Sequence, residues 1–208
     1  MAERSRYRTN FAFIDLLFNL LVGITLLFFL AFILINPVAK KKDIEAKAEY
    51  LITMTWPERN EDDIDIWVMD NQKHIVSFRN KDNALISLDR DDLGTRNDEF
   101  IEHSTKKVIR IYQNREVISI RSKDPRRYLV TVHKYMNTSK EPTHITIELT
   151  EINPYKIHIV KKLVLDHMGD EKQAFEFEVM PDGSTIVEET ERLVINDPKL
   201  GILNQVGR

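Results

Sequence analysis

The sequence predicts one N-terminal transmembrane α-helix followed by an all-β sandwich, and three observations carry that expectation. The run from Phe11 to Pro37, FAFIDLLFNLLVGITLLFFLAFILINP, holds no lysine or arginine and one ionisable residue, Asp15. From Tyr50 onward, short stretches rich in Ile, Val, Trp and Phe alternate with clusters of Asn, Asp and Lys, which is the pattern of strands and turns. Finally, a chain of 208 residues has room for the helix and one domain of about 150 residues, enough for one buried core.

Taken in order, residues 1–10 (MAERSRYRTN) read as a polar tail carrying Arg4, Arg6 and Arg8. Basic residues before a span favour the cytoplasm, although Lys40, Lys41 and Lys42 flank the other end and nearly balance them. Residues 11–37 form the span. At ~1.5 Å per residue a helix of this length measures about 39 Å, enough to cross a hydrocarbon core of roughly 30 Å with tilt. The run is too long for a signal-peptide core and no small-x-small cleavage site follows, so the helix is expected to be retained.

Asp15 is the anomaly of this helix. A carboxylate inside a span costs about 3 kcal/mol, and such a group ordinarily faces protein or a water-filled path. Asn19 follows at i+4 and Gly23 at i+8, and both fall near Asp15 on one helical face with Val22 and Leu26. A small residue beside a polar pair lets a second helix come close. The alternative is that Asp15, four residues into the apolar run, sits at headgroup level and only caps or anchors the helix. Asn19, one turn deeper, weighs against a frayed end.

The segment Phe13-Ile14-Asp15-Leu16-Leu17, in an apolar helix after a short basic stretch, resembles the transmembrane helix of the ExbD, TolR and MotB proteins. These are the B subunits of ion-driven stator units. The resemblance covers about residues 1–40 and implies that Asp15 carries the coupling ion, H+ or Na+; Asn19 joins it as an ion-translocation candidate by its i+4 place on the same helical face. The resemblance further implies a homodimer whose two helices sit inside a pentamer of MotA-, TolQ- or ExbB-like A subunits. By the same resemblance the membrane is the bacterial inner membrane, with the N-terminus cytoplasmic and the C-terminal domain outside. No peptidoglycan-binding pattern of the MotB kind appears further on, so the extracytoplasmic target is unidentified.

Residues 38–49 follow as a charged neck. Its good helix formers, Ala46, Lys47 and Ala48, allow it to extend the helix, and a channel-plugging role is the less favoured alternative because it offers few apolar residues. The β-domain spans 50–195. Strands are expected at 51–54, 64–69, 74–78, 84–88, 108–112, 116–122, 128–135, 143–152, 157–165, 175–180 and 185–190. Alternation is clearest in Tyr128–His133 and Ile145–Leu149. Pro181-Asp182-Gly183-Ser184 reads as a tight hairpin turn. Many short strands with frequent turns favour a sandwich, in which Trp56 and Trp67 are core residues. The tail, 196–208, is expected to be loosely structured.

Thr55-Trp56-Pro57, then Asp62-Asp63-Ile64-Asp65-Ile66-Trp67-Val68, then Leu88-Asp89-Arg90-Asp91-Asp92-Leu93-Gly94 form a second pattern. It resembles the jelly-roll sandwiches of the YfaP-like and pre-peptidase C-terminal type over about residues 50–150. That resemblance implies an exported binding or structural module, not a catalyst. Asp63, Asp65, Asp89, Asp91 and Asp92 bring hard oxygens to one end of such a fold, and Ca2+ takes six to eight oxygen ligands. The competing reading is that these are exposed carboxylates at strand ends, where Asp is favoured anyway.

Other chemistry is excluded by what the chain lacks. There is no cysteine, hence no disulfide, thiol nucleophile or Cys-type zinc site. Six histidines are scattered without HExxH spacing, and no P-loop, GxSxG or GxGxxG occurs. A formal net charge of −3 gives no footprint for nucleic acid. Two functions of different class remain: the ion-carrying subunit of a membrane motor, and a membrane-anchored binding module, with or without calcium.

Overall fold

The computed structural model describes residues 3–35 and 47–196. Most of the charged neck, its plugging alternative included, lies outside the described residues, as does the tail from residue 197. Two compact units divide the chain, Met1–Glu45 and Ala46–Arg208.

The first unit is one helix, α1 (Glu3–Ile35). It begins before the apolar run, because residues 3–10 contain neither Gly nor Pro and include good helix formers such as Glu and Arg. Within α1, Phe11–Phe32 is long and apolar enough to cross a membrane, and none of it is buried inside the chain. A stretch of this kind near the N-terminus fits a membrane anchor or a signal sequence.

The second unit is built from antiparallel strands. These are β1 (Tyr50–Thr55), β2 (Asp63–Asp70), β3 (Ile75–Val76), β4 (Asp82–Asn83), β5 (Ile86–Arg90), β6 (Glu99–Ile101) and β7 (Val108–Arg110). They continue with β8 (Arg115–Ile120), β9 (Arg126–Met136), β10 (Thr143–Glu151), β11 (Lys156–Leu165), β12 (Glu171–Val179) and β13 (Thr185–Glu188). One sheet has six strands in the order β11-β10-β1-β8-β5-β4, and the other has five in the order β13-β12-β9-β2-β3. The β6–β7 hairpin stands apart as a two-stranded sheet.

Period-two alternation decides which residues fill the space between the sheets. Ile52 and Met54, Ile118 and Ile120, and Ile145, Ile147 and Leu149 face inward from the six-stranded sheet. They meet Ile64, Ile66, Val68, Tyr128, Val130, Phe175 and Phe177 from the other. Tyr128 stacks on Phe177 with centroids 4.8 Å apart. Trp56 belongs to this core, whereas Trp67 is buried on the outer face of the five-stranded sheet.

There Val194 and Ile195 cover Trp67, Met69 and Leu129. Glu171 fastens that cover, accepting hydrogen bonds from the backbone N–H groups of Val194, Ile195 and Asn196. The β12–β13 hairpin turns at Pro181–Ser184 as expected, with Gly183 at φ +82° and Met180 N–H donating to Ser184 O at 2.8 Å.

Candidate functional site

In the first unit the chemistry rests on α1. A helix rotates about 100° per residue, so Val22, Leu26, Asn19 and Gly23 all fall within roughly 80° of Asp15. A Cβ added at Gly23 meets nothing within 4 Å, so no contact in this chain requires glycine there. Thr25 satisfies its hydroxyl inside the helix, donating to Leu21 O at 2.8 Å. Helical structure begins at Glu3, twelve residues before Asp15, so this carboxylate does not cap the helix.

In the second unit, acidic side chains gather at the margin between the sheets. Strand β3 pairs only Val68 and Met69 of β2, leaving the first part of β2 at the sheet edge. The Ile66 N–H is met there by a side chain instead of a strand: it donates to Glu116 Oε2 at 2.6 Å. Glu116 lies on β8 of the opposite sheet, two positions from the inward-facing Ile118, and none of it is exposed. Asp65 reaches the same place from β2, and Asp91 from the end of β5. One carboxylate oxygen from each of Asp65, Asp91 and Glu116 lies within 4.8 Å of the other two.

Cations border this cluster. Arg96, on a 3-10 turn at Gly94–Asn97, donates to Asp63 Oδ2 at 2.6 Å. The turn sits tight against β2: Gly94 has φ +66°, and a Cβ there stands 2.9 Å from Asp62 O. Lys81 pairs with Asp91 at 2.7 Å from a half-exposed position. His133 Nδ1 stands 3.9 Å from Asp65 Oδ2, too far for a hydrogen bond. Asp65 Oδ2 and Glu116 Oε1 are buried and receive no hydrogen bond.

Electrostatics follows from that arrangement. Burial, then the charges of Asp65 and Asp91 and more weakly of Asp63, drives Glu116 well above the usual carboxylate range, against the opposing bond from Ile66. Burial likewise raises Asp65, with His133 opposing and Asp91 reinforcing. Asp63 is pushed up to about 6 by burial and by the charge of Asp65, with Arg96 pulling the other way.

The acidic residues singled out from sequence separate into two groups. Asp63, Asp65 and Asp91 come together at this margin. Asp89 is exposed and stands 3.7 Å from Arg121. Asp92 is buried and its Oδ2 is committed, accepting from Arg115 N–H at 3.1 Å and Arg90 at 2.9 Å. Glu116 was absent from the sequence reading. Its signal is local: in Arg115–Ile120 (REVISI), period two sets a glutamate in line with two isoleucines of the core. Three histidines serve separate carboxylates, His74 on Asp70 at 2.8 Å, His158 on Glu151 at 2.9 Å, and His133 near Asp65.

No family model and no curated protein matches the chain. Two solved structures are similar to this chain. One is a protein of unknown function, SAV2460, with 14% identity and a TM-score of 0.46, covering 77% of this chain and 98% of the other. The second is a homologue of the telluride resistance protein TerD from Streptomyces coelicolor A3(2), with 13% identity, a TM-score of 0.44 and coverage of 77% and 99%. Scores this low assign neither family nor function.

Proposed function

We propose that this chain is the B subunit of an ion-driven membrane motor of the ExbD, TolR and MotB kind. In this reading α1 spans the membrane, Asp15 binds and releases the coupling ion, H+ or Na+, and the β-sandwich passes force to a target outside. The supporting observation is a carboxylate set inside a continuous apolar helix, one turn from Asn19 on the same face. Asp15 stands about 6 Å, and Asn19 about 12 Å, past the start of the apolar stretch, at ~1.5 Å per residue. Two polar groups at those depths are costly against lipid and are relieved by a partner that surrounds them. Gly23, free of any contact that would demand glycine, extends the same face and admits a close-packed second helix. The partners on this reading are a second copy of the chain and a pentamer of multi-span A subunits.

The test is co-purification of the full chain with the product of its gene neighbour, followed by native mass measurement in detergent. A complex of five A and two B subunits is expected, and Asp15→Asn keeps the assembly while abolishing ion-driven activity. A chain that purifies without a multi-span partner, and whose activity survives Asp15→Asn, refutes the motor. The second reading, a membrane-anchored binding module, would then take its place. It is favoured by the acidic margin of the sandwich, which has no counterpart in the needs of a helix that only carries ions.

A further inference from the structure

We propose that Asp65, Asp91 and Glu116 form a binding site for a hard divalent cation of the size of Ca2+, each supplying one carboxylate oxygen from a different strand or strand end. Three features of the margin carry this. The first is spacing. Calcium–oxygen distances run from about 2.3 to 2.6 Å, so two ligands on opposite sides of one ion stand about 4.8 Å apart, and closer when not opposite. One oxygen from each of the three residues lies within 4.8 Å of the other two, so a single ion reaches all three with little movement. Mg2+ demands a near-ideal octahedron at about 2.1 Å, keeps several of its waters and is usually held by one or two carboxylates, so three converging carboxylates favour Ca2+.

The second feature is the state of the oxygens. Glu116 is completely buried, and its Oε1 receives no hydrogen bond, while its Oε2 is fixed by the Ile66 N–H. Asp65 is 2% exposed, and its Oδ2 also lacks a donor. A buried carboxylate oxygen without a donor is among the most expensive arrangements in a protein interior, and a bound cation removes that expense. The third feature is donor chemistry. The set is all oxygen and anionic, with no thiol anywhere in the chain and the nearest imidazole, His133, already beside Asp65. Such a set selects hard cations over zinc or copper.

Asp63 completes the picture from outside. Its Oδ2 is held by Arg96 while its Oδ1 has no partner, so it adds negative potential and holds a free oxygen beside the ligands. Asp89, turned toward Arg121, and Asp92, bonded to Arg90 and the Arg115 backbone, do not belong to the set.

The experiment is a thermal melt of the full-length protein in detergent, read by tryptophan fluorescence after chelation and then along a CaCl2 titration. Parallel titrations use MgCl2 and NaCl at matched ionic strength. At calcium one hundred times its dissociation constant, the melting point of the wild type is expected to rise by roughly 5–11 °C. Glu116→Gln, which keeps shape and removes charge, is expected to weaken calcium binding at least tenfold, read by calorimetry, and to melt no lower than wild type in chelator. Asp91→Asn, at a partly exposed position, serves as the second variant and loses affinity in the same way, whereas Asp89→Asn leaves it unchanged. A wild type that shows no saturable calcium response up to millimolar concentration overturns the proposal. So do variants at Glu116 and Asp91 that keep wild-type affinity, and a response to Mg2+ equal to that of Ca2+ overturns the size preference.

Discussion

Lys134 offers the sharpest test of how the sandwich is held together beside its acidic margin. The residue is fully buried on β9, and its ammonium stands 3.2 Å from Asp62 Oδ2 and donates to Glu141 O at 2.7 Å. Asp62, also fully buried, further accepts from the Ser139 N–H at 2.8 Å, the Ser139 hydroxyl at 2.7 Å and the Thr143 hydroxyl. Burial opposes the charge on Asp62, but the bonds from Thr143, Ser139 and Lys134 outweigh it and hold the carboxyl below its ordinary range. Asp62 is therefore an anion in the folded state, and Lys134→Met strands it.

Removing one partner of a buried pair costs about 3–5 kcal/mol, because the remaining charge stays buried without compensation. For a domain of about 150 residues, each kcal/mol lowers the melting point by roughly 2–4 °C, so a loss of about 10 °C is expected. Both tryptophans lie in the sandwich, so fluorescence of the full chain in detergent reports its melting without interference from α1. Lys134→Met combined with Asp62→Asn is expected to recover about 2 kcal/mol of that loss, since the stranded charge is gone. A shift below about 3 °C in the single variant, or strictly additive losses in the pair, refutes the claim that this ion pair is buried and mutually dependent.

Two further outcomes follow from other buried carboxylates. Burial alone would raise Asp70, but hydrogen bonds from His74, Arg126 and the Gln72 N–H outweigh it and lower its pKa from an ordinary value near 3.8. A depressed carboxyl contributes stability that is full above its unfolded value and lost as pH falls through the folded one, so acid melts should show this loss below about pH 4. Asp70→Asn is expected to cost about 2 kcal/mol near neutrality and to flatten that acid limb, and an unchanged limb would argue against it. Glu171→Ala frees the Val194–Asn196 turn from its anchor. It is expected to cost about 3 kcal/mol and to shift Trp67 emission to the red, whereas unchanged emission would mean that the cover holds without Glu171.

Much of this architecture was legible in the sequence, and the reasons differ by element. The apolar run announced α1 because Phe11–Phe32 is far longer than a strand and holds no proline. Strands β9 and β10 were visible because each carries a clear alternating stretch, and β11 because it is a long run rich in Ile, Val and Leu. Strands β4 and β6 were not, since Asp82–Asn83 and Glu99–Ile101 have no periodicity to read over so few residues. The first half of β12 was missed because Glu171, Lys172 and Gln173 resemble a loop. In the fold Glu171 and Gln173 are turned toward the terminal segment, and their bonds to Thr190 and the Val194–Asn196 turn justify polar residues there.

The acidic margin shows why a site is harder to read than a strand. Local density of aspartate drew attention to residues 62–65 and 89–92, yet density alone cannot separate Asp91 from its neighbours. That separation depends on a break in the pleat: strict alternation would set Asp89 and Asp91 on one face, but the pairing of β5 with β8 shifts register between Leu88 and Arg90, so Asp89 stands exposed beside Arg121 while Asp91 joins Asp65 and Glu116. Glu116 is the opposite case, a single acid in an apolar strand, distant in sequence from every other member of the cluster. What places it there is the shortness of β3, which leaves the Ile66 N–H at an open edge. A backbone donor at a buried edge must be met, and a glutamate from the opposite sheet meets it with one oxygen. The same placement brings Glu116 beside Asp65 and Asp91, so the gap in strand pairing and the concentration of negative charge have one structural cause.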